Sequence, residues 1–321
     1  MVYMTETQGK YTQNWQAYDK AQTREKTLFM KLLSELCQTL EQKEYTRGRP
    51  VYPISDMMFC SVMKVYTMFS LRRFTSTLKE ANELGYIDRI PSFASVGHFM
   101  QREDMTQPLL RLVWESSLPL REVERDFATD TTGFATCHYA RWFDHKYGKE
   151  FSARKWLKAH VMSGVKTNVV TSLIVTDSTH SDTQYMKYLL RETAEGFKLG
   201  DVCADKAYLS RENLKEIDRL GGTPLIPFRS NCTGNARGSL LWSKMYRYFL
   251  LYREEFMERY HKRSNVETTF HMIKAKFGDF LRSKSKEAQV NEVICKVICH
   301  NLCVLIQEMH EVRQNDNYFK K

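Results

Sequence analysis

Proline and glycine are scarce, with seven and fourteen in 321 residues. That scarcity excludes a collagen-like chain and a flexible linker protein. No uncharged apolar run reaches the ~18–20 residues that a membrane-spanning helix needs. The first twenty residues are polar and mixed in charge, unlike a secretory signal. The eight cysteines follow no disulfide-scaffold spacing. These absences lead to the expectation of a soluble cytoplasmic protein with reduced thiols and no membrane partner. Internal repeats and low-complexity segments are also lacking.

What is present is ordinary in amount and uneven in sign. Hydrophobic residues make up 42% and charged residues 27%, the usage of a chain that can bury a core. Lys and Arg number 48 against 38 Asp and Glu, a net charge of +10. Such an excess favours polyanionic partners, usually nucleic acid, through counterion release. A merely basic globular protein accounts for the charge equally well.

Hydrophobic spacing divides the chain into four parts. Residues 1–50 form a polar arm in which 27–40 predict a helix, stopped by Arg47-Gly48-Arg49-Pro50. Residues 51–120 read as helical. Ser55 heads a helix carrying Met58, Val62, Val65 and Phe69. Ser70 caps a second, with Leu71, Phe74, Leu78 and Ala81 on one face and a stop at Gly85. Pro91-Ser92 opens a third. Three short helices with Arg72 and Arg73 at the head of the second are helix-turn-helix-like, and these two arginines are candidate DNA contacts. A plain helical bundle is the competing reading.

From about residue 121 the pattern changes. Residues 125–133 predict a strand ending in a turn, 147–149 a hairpin, and 156–162 and 169–175 strands. Asp182 caps a helix through Leu190. Residues 201–205 predict a short strand, Ser210 a helix start closed by Gly221-Gly222, and 223–228 a further strand. This succession is α/β with a mixed sheet. Residues 229–252 read as an irregular insertion, 253–280 and 286–311 as long helices, and 312–321 as a frayed tail.

The chemistry gathers on the first long helix. At 100° per residue, Tyr260, Arg263, Glu267 and Lys274 fall within a strip about 60° wide. It adjoins the apolar strip of Val266, Phe270, Ile273 and Phe277. A solvated charged face is the usual meaning of such a strip, yet a free surface has no need to mix these groups beside apolar packing. Asp130 and Asp205 each end a predicted strand, where sheets collect their ligand-binding side chains. Two strand-end acids and one helix acid suit hard divalent cations. Two such ions about 3.5–4 Å apart activate the attacking oxygen and stabilise the leaving oxygen in phosphodiester chemistry. Lys206, Arg263 and Lys274 are then placed to meet phosphates. Asp126 and Asp144 compete for the first acid.

Tyr260-x2-Arg263-x3-Glu267-x6-Lys274 resembles the Y-x2-R-x3-E-x6-K signature of insertion-sequence transposases of the DDE class. Asp130-Thr131-Thr132-Gly133-Phe134 looks like the first-aspartate block of that family. Asp205-Lys206-Ala207-Tyr208 looks like its second, with Ala207 in place of the usual glycine. Lys155 to His160, Ile226-Pro227-Phe228-Arg229 and His300-Asn301-Leu302 are also similar. The resemblance covers about residues 121–311 and, more weakly, 50–110.

It implies an RNase H-like domain over 121–311, a mixed five-stranded sheet flanked by helices, preceded by an all-helical region. It further implies that Asp130, Asp205 and Glu267 bind two Mg2+ or Mn2+ ions. Water then cuts at the ends of an element, and the freed 3′-hydroxyl attacks target DNA. Arg263, Lys274 and Tyr260 would hold the phosphates. The partners are double-stranded DNA, as terminal inverted repeats and as target, and a second copy of the chain on that DNA. Residues 253–286 carry nine Lys or Arg against five acids, which suits a DNA channel. Two rivals remain: a domesticated DNA-binding regulator that does not cut, and a nuclease of the same fold that cuts without joining.

Other features read as packing. Cys295, Cys299 and Cys303 recur every four residues beside His300, but a helix sets the outer pair ~12 Å apart, too far to share a zinc ion. They share the apolar face of Ile294, Ile298 and Leu302. Cys137-His138 and Cys203 lack ligand spacing. Trp242 packs the insertion or stacks on a flipped base, and packing is favoured.

Overall fold

A computed structural model describes residues 14–42, 51–136, 156–177 and 182–312. The stop at residues 47–50, Cys137, His138, Asp144, the hairpin at 147–149, Lys155 and the tail from 313 lie outside these.

Helix α1 spans Trp15–Cys37 and begins well before the expected residue 27. Its start is set by Asn14, whose side chain accepts the Ala17 N–H at 3.2 Å. Helix α2, Ile54–Thr67, starts after Pro53, so Ser55 is not its cap. The Ser55 hydroxyl instead faces Asp56 at 3.4 Å. Helix α3, Leu71–Glu83, is capped by Ser70, and α4, Phe93–Met100, by Ser92, which accepts the Ser95 N–H at 3.0 Å. Gly85 ends the α3 segment at φ +75°, where a glycine avoids the Cβ clash. A further helix, α5 (Thr106–Ser117), completes this part.

Five strands follow: β1 Phe127–Ala135, β2 Trp156–Gly164, β3 Val170–Asp177, β4 Asp201–Ala204 and β5 Thr223–Leu225. Their order is β3-β2-β1-β4-β5. The first three pair antiparallel, and β4 and β5 run parallel to β1. Parallel pairing needs crossovers, supplied by α6 (Met186–Gly196) and α7 (Arg211–Arg219). Ser210 caps α7 by accepting the Asn213 N–H at 3.0 Å. This mixed sheet with flanking helices is the α/β, RNase H-like architecture.

The insertion is not irregular throughout, because its second half forms α8, Leu240–Leu251. The long helix expected over 253–280 is two helices, α9 (Arg253–Tyr260) and α10 (Ser264–Phe277), joined by a 3-10 turn at His261–Arg263. The last helix, α11 (Lys286–Val312), packs against α1, α2 and α5. By length and composition α11 is apolar enough to cross a membrane, yet most of it is buried inside the protein as its core helix. Cys295 and Cys299 lie fully buried along it.

Helix α11 also meets the sheet at the first residue of edge strand β3. The Asn301 side chain accepts the Val170 N–H and donates to the Val170 carbonyl, both at 2.8 Å. It therefore satisfies the Val170 backbone as a neighbouring strand would. His300 Nε2 donates to the Asn168 carbonyl at 2.8 Å, at the β2–β3 turn. Burial pushes the His300 pKa down to about 4, so the ring is neutral there.

Candidate active site

Asp130 does not end its strand. Strand β1 continues to Ala135 on its antiparallel partner β2. What ends is the parallel pairing with β4, which runs Phe127↔Val202, Ala128↔Cys203 and Thr129↔Ala204 and then stops. Asp205 leaves the sheet to head a 3-10 turn, Lys206–Tyr208. Continuing the same register sets Asp130 beside Asp205 at the point where the two strands part. Burial, with the nearby charge of Asp205, raises the Asp130 carboxyl above its ordinary range; the Thr131 N–H and Arg263 oppose this.

Glu267 arrives from above. It stands in the first turn of α10 and is largely exposed. Arg263 links it to the sheet. One guanidinium N–H donates to Asp130 Oδ2 at 2.7 Å, and another to Glu267 Oε1 at 2.6 Å. Tyr260, half-buried at the end of α9, stands close enough to Arg263 and Asp205 to feel both charges. Lys206 is exposed directly after Asp205.

The single strip expected on one helix is therefore broken. The 3-10 turn advances about 120° per residue where an α-helix advances 100°. Lys274, in the last turn of α10, does not join the carboxylates. Its ammonium sits 5.5 Å from the centre of the Phe134 ring, and burial pushes its pKa down. Phe134 lies on the same face of β1 as Asp130, about 13 Å further along the strand. Arg72 and Arg73 are exposed on α3, over Phe93 and Phe69, and are not part of the carboxylate group. Trp242 is buried in the insertion, donating to the Thr233 carbonyl at 2.8 Å beneath Arg211.

Two networks were not read from the sequence. Asp126, a rival for the first acid, belongs to one of them. The Asp201 N–H donates to Asp126 Oδ1 at 2.9 Å, and Lys262 Nζ reaches Asp126 at 2.7 Å and Asp201 at 3.2 Å. Arg259 forks onto the Asp201 carboxylate and also donates to the Tyr248 hydroxyl at 3.1 Å. Although burial opposes it, these cations hold Asp201 below the usual carboxylate range. Asp126 and Asp201 thus form an acid pair four residues before Asp130 and Asp205, clamped by the segment that leads into Arg263.

The second network lies on the other face of β1. The Thr131 hydroxyl bonds His160 Nδ1 and the Tyr208 hydroxyl, each at 2.9 Å, and His160 Nε2 reaches Thr176 at 2.9 Å. It fastens the turn after Asp205 to the three antiparallel strands. Alternation along β1 was the available signal, because it sends Thr131 to the face opposite Asp130.

Three carboxylates form a hard oxygen donor set, the chemistry that Mg2+ or Mn2+ takes. Among the described residues, no three His, Cys, Asp or Glu side chains stand close enough to hold an ion together. The Arg263 guanidinium stands between two of the three acids and acts there as the cation.

An RNase H-like sheet with acids at the parting of its central parallel strands places the chain among proteins of the RNase H-like class. Residues 121–302, more than half of the chain, match the transposase DDE domain, and the chain belongs to that family. It is 26% identical over 190 residues to a probable transposase for insertion sequence element ISA1214 of Archaeoglobus fulgidus. The match covers 58% of this chain and 56% of that protein, so it spans about half the relative's length. No solved structure matches the chain.

Proposed function

We propose that the chain is a DNA transposase that cuts at the ends of its own element and joins the freed 3′-hydroxyl to target DNA. The observation that carries this reading is the register of β1 and β4, which brings Asp130 beside Asp205 with Arg263 tying Glu267 to the same point. Asp130, Asp205 and Glu267 are the groups that would hold two Mg2+ or Mn2+ ions. Such ions, when bound, polarise the scissile phosphate and lower the pKa of the attacking oxygen.

The rest falls to the chain's own residues. Arg263 and Lys206 supply positive charge to the phosphate beside the acids, and Tyr260 supports Arg263 from its half-buried seat. Lys274, farther along, meets a neighbouring phosphate. Arg72 and Arg73, exposed on α3, grip the duplex from the helical part over residues 51–120. Residues 121–311 are the catalytic domain, and two copies act on paired ends. No protein nucleophile is needed, because the attacking oxygens are those of water and of the DNA 3′ end.

Labelled DNA ends from the gene's flanks test this. Wild type and Asp205→Asn are compared with Mg2+, Mn2+ or EDTA. Metal-dependent 3′-hydroxyl release and joined product, lost in the variant, support the reading. Cutting without joining supports a nuclease, and binding alike in both proteins without cutting supports a regulator.

A further inference from the structure

Arg263 makes two short, charge-assisted bonds, to Asp130 Oδ2 at 2.7 Å and to Glu267 Oε1 at 2.6 Å. Its side chain is only 19% exposed and that of Asp130 25%, so water screens that pair incompletely. The other Asp130 oxygen accepts the Thr131 N–H at 2.8 Å. Among the described residues, Arg263 is the one cation in hydrogen-bond contact with either carboxylate. It bridges the strand acid and the helix acid.

From these contacts we infer that Arg263 is a displaceable counter-ion, which pairs with Asp130 and Glu267 until a divalent cation takes their oxygens. The inference rests on the reading of these acids as metal-holding groups. A divalent ion bonds a carboxylate oxygen at about 2.0–2.1 Å. A guanidinium kept on the same oxygens puts three positive charges side by side, so the two cations compete. Arg263 is the one with rotatable bonds to move on, a long side chain on a 3-10 turn. Once released, its donors are free for a phosphate oxygen, for which the planar fork is suited. Metal uptake and phosphate capture are then coupled through one side chain.

The inference has a sign. A residue that merely orients the carboxylates weakens metal binding when removed, whereas a competing counter-ion strengthens it. The test titrates Mn2+ alone into the full chain and reads bound metal by electron paramagnetic resonance. Arg263→Ala is expected to bind Mn2+ at least about tenfold more tightly than wild type. Arg263→Gln keeps a polar side chain on the same methylene stem without the charge, and shows the same sign if the alanine variant does not fold. Lys274→Ala removes an equal charge that touches neither acid, and is expected to change affinity less than about threefold.

Unchanged or weaker Mn2+ binding in both Arg263 variants overturns the inference, as does equal tightening in Lys274→Ala. Asp130→Asn separates this from the site itself. Mn2+ binding that ignores Asp130→Asn, or is absent from every variant, removes the metal site and the inference together. Binding that depends on Asp130 but is indifferent to Arg263 removes the inference alone.

Discussion

Lys262 lies 2.7 Å from Asp126 and 3.2 Å from Asp201, closing across two strands what the Asp201 N–H opens by donating to Asp126. This lysine immediately precedes Arg263, so the clamp fixes where Arg263 enters the candidate site. Its energetics follow from burial. The Asp201 side chain is nearly buried, and losing a cation there leaves charge poorly compensated.

Lys262→Met is expected to lower stability by about 1–2 kcal/mol, read as a lower urea midpoint. The pH dependence has a definite sign. Asp201 titrates lower in the folded chain than in the unfolded one, so its contribution is present above about pH 3.9. It is lost as pH falls through the lower folded value. Asp201→Asn should therefore differ from wild type at pH 7 and converge on it at the acid end. A constant offset across that range contradicts the clamp.

His300 takes up its proton at lower pH than a surface histidine. Its folded pKa of about 4 lies below the usual 6.5. Its neutral form is the one that fits, so its stabilisation is present above about pH 6.5 and lost as pH falls toward 4. The loss amounts to at most about 3 kcal/mol. Stability at pH 7.5 and pH 5 should differ less in His300→Gln than in wild type, and equal differences in the two proteins exclude His300 as the titrating group.

Much of this architecture was legible because it depends on neighbours in sequence. Ser70, Ser92 and Ser210 cap helices where the spacing put them, and the strands over 156–164 and 170–177 follow from alternation and β-branching. Asp130 and Glu267 were legible as acids on a strand and on a helix, and Asp205 as the acid that follows a strand. What stayed hidden depends on partners far along the chain. The start of α1 turns on one side-chain cap, and the break at His261–Arg263 preserves the helical residue pattern while altering its phase. That Asp126 serves a clamp and Asp130 does not follows only once β4 is seen in register beside β1.

Asn301 illustrates the same point and yields a stability prediction. It is fully buried and satisfies both backbone groups of Val170, while its amide also reaches Ser116 at 3.0 Å. Asn301→Ala leaves those groups without partners in a dry interior. A loss of about 2–4 kcal/mol is expected, with faster amide exchange at Val170 than at Met162 in the adjoining strand. Unchanged exchange at Val170 shows that another group takes over the pairing.

The bond between Tyr208 and Thr131 connects stability with the proposed chemistry. Both hydroxyls belong to the buried network under the sheet, and Tyr208 closes the 3-10 turn that Asp205 begins. Tyr208→Phe keeps the ring packing and removes the single bond from the turn to β1, at a cost of about 1 kcal/mol. The turn then loses its tie at the position that fixes Asp205 against Asp130. DNA affinity should stay within about twofold, because none of the proposed phosphate contacts changes, while cleavage slows about tenfold through misplacement of one carboxylate. Thr131→Val removes the same bond from the other side and should match it in both readouts. Cleavage at the wild-type rate in both variants would mean that packing alone holds the turn, and the network would then be purely structural.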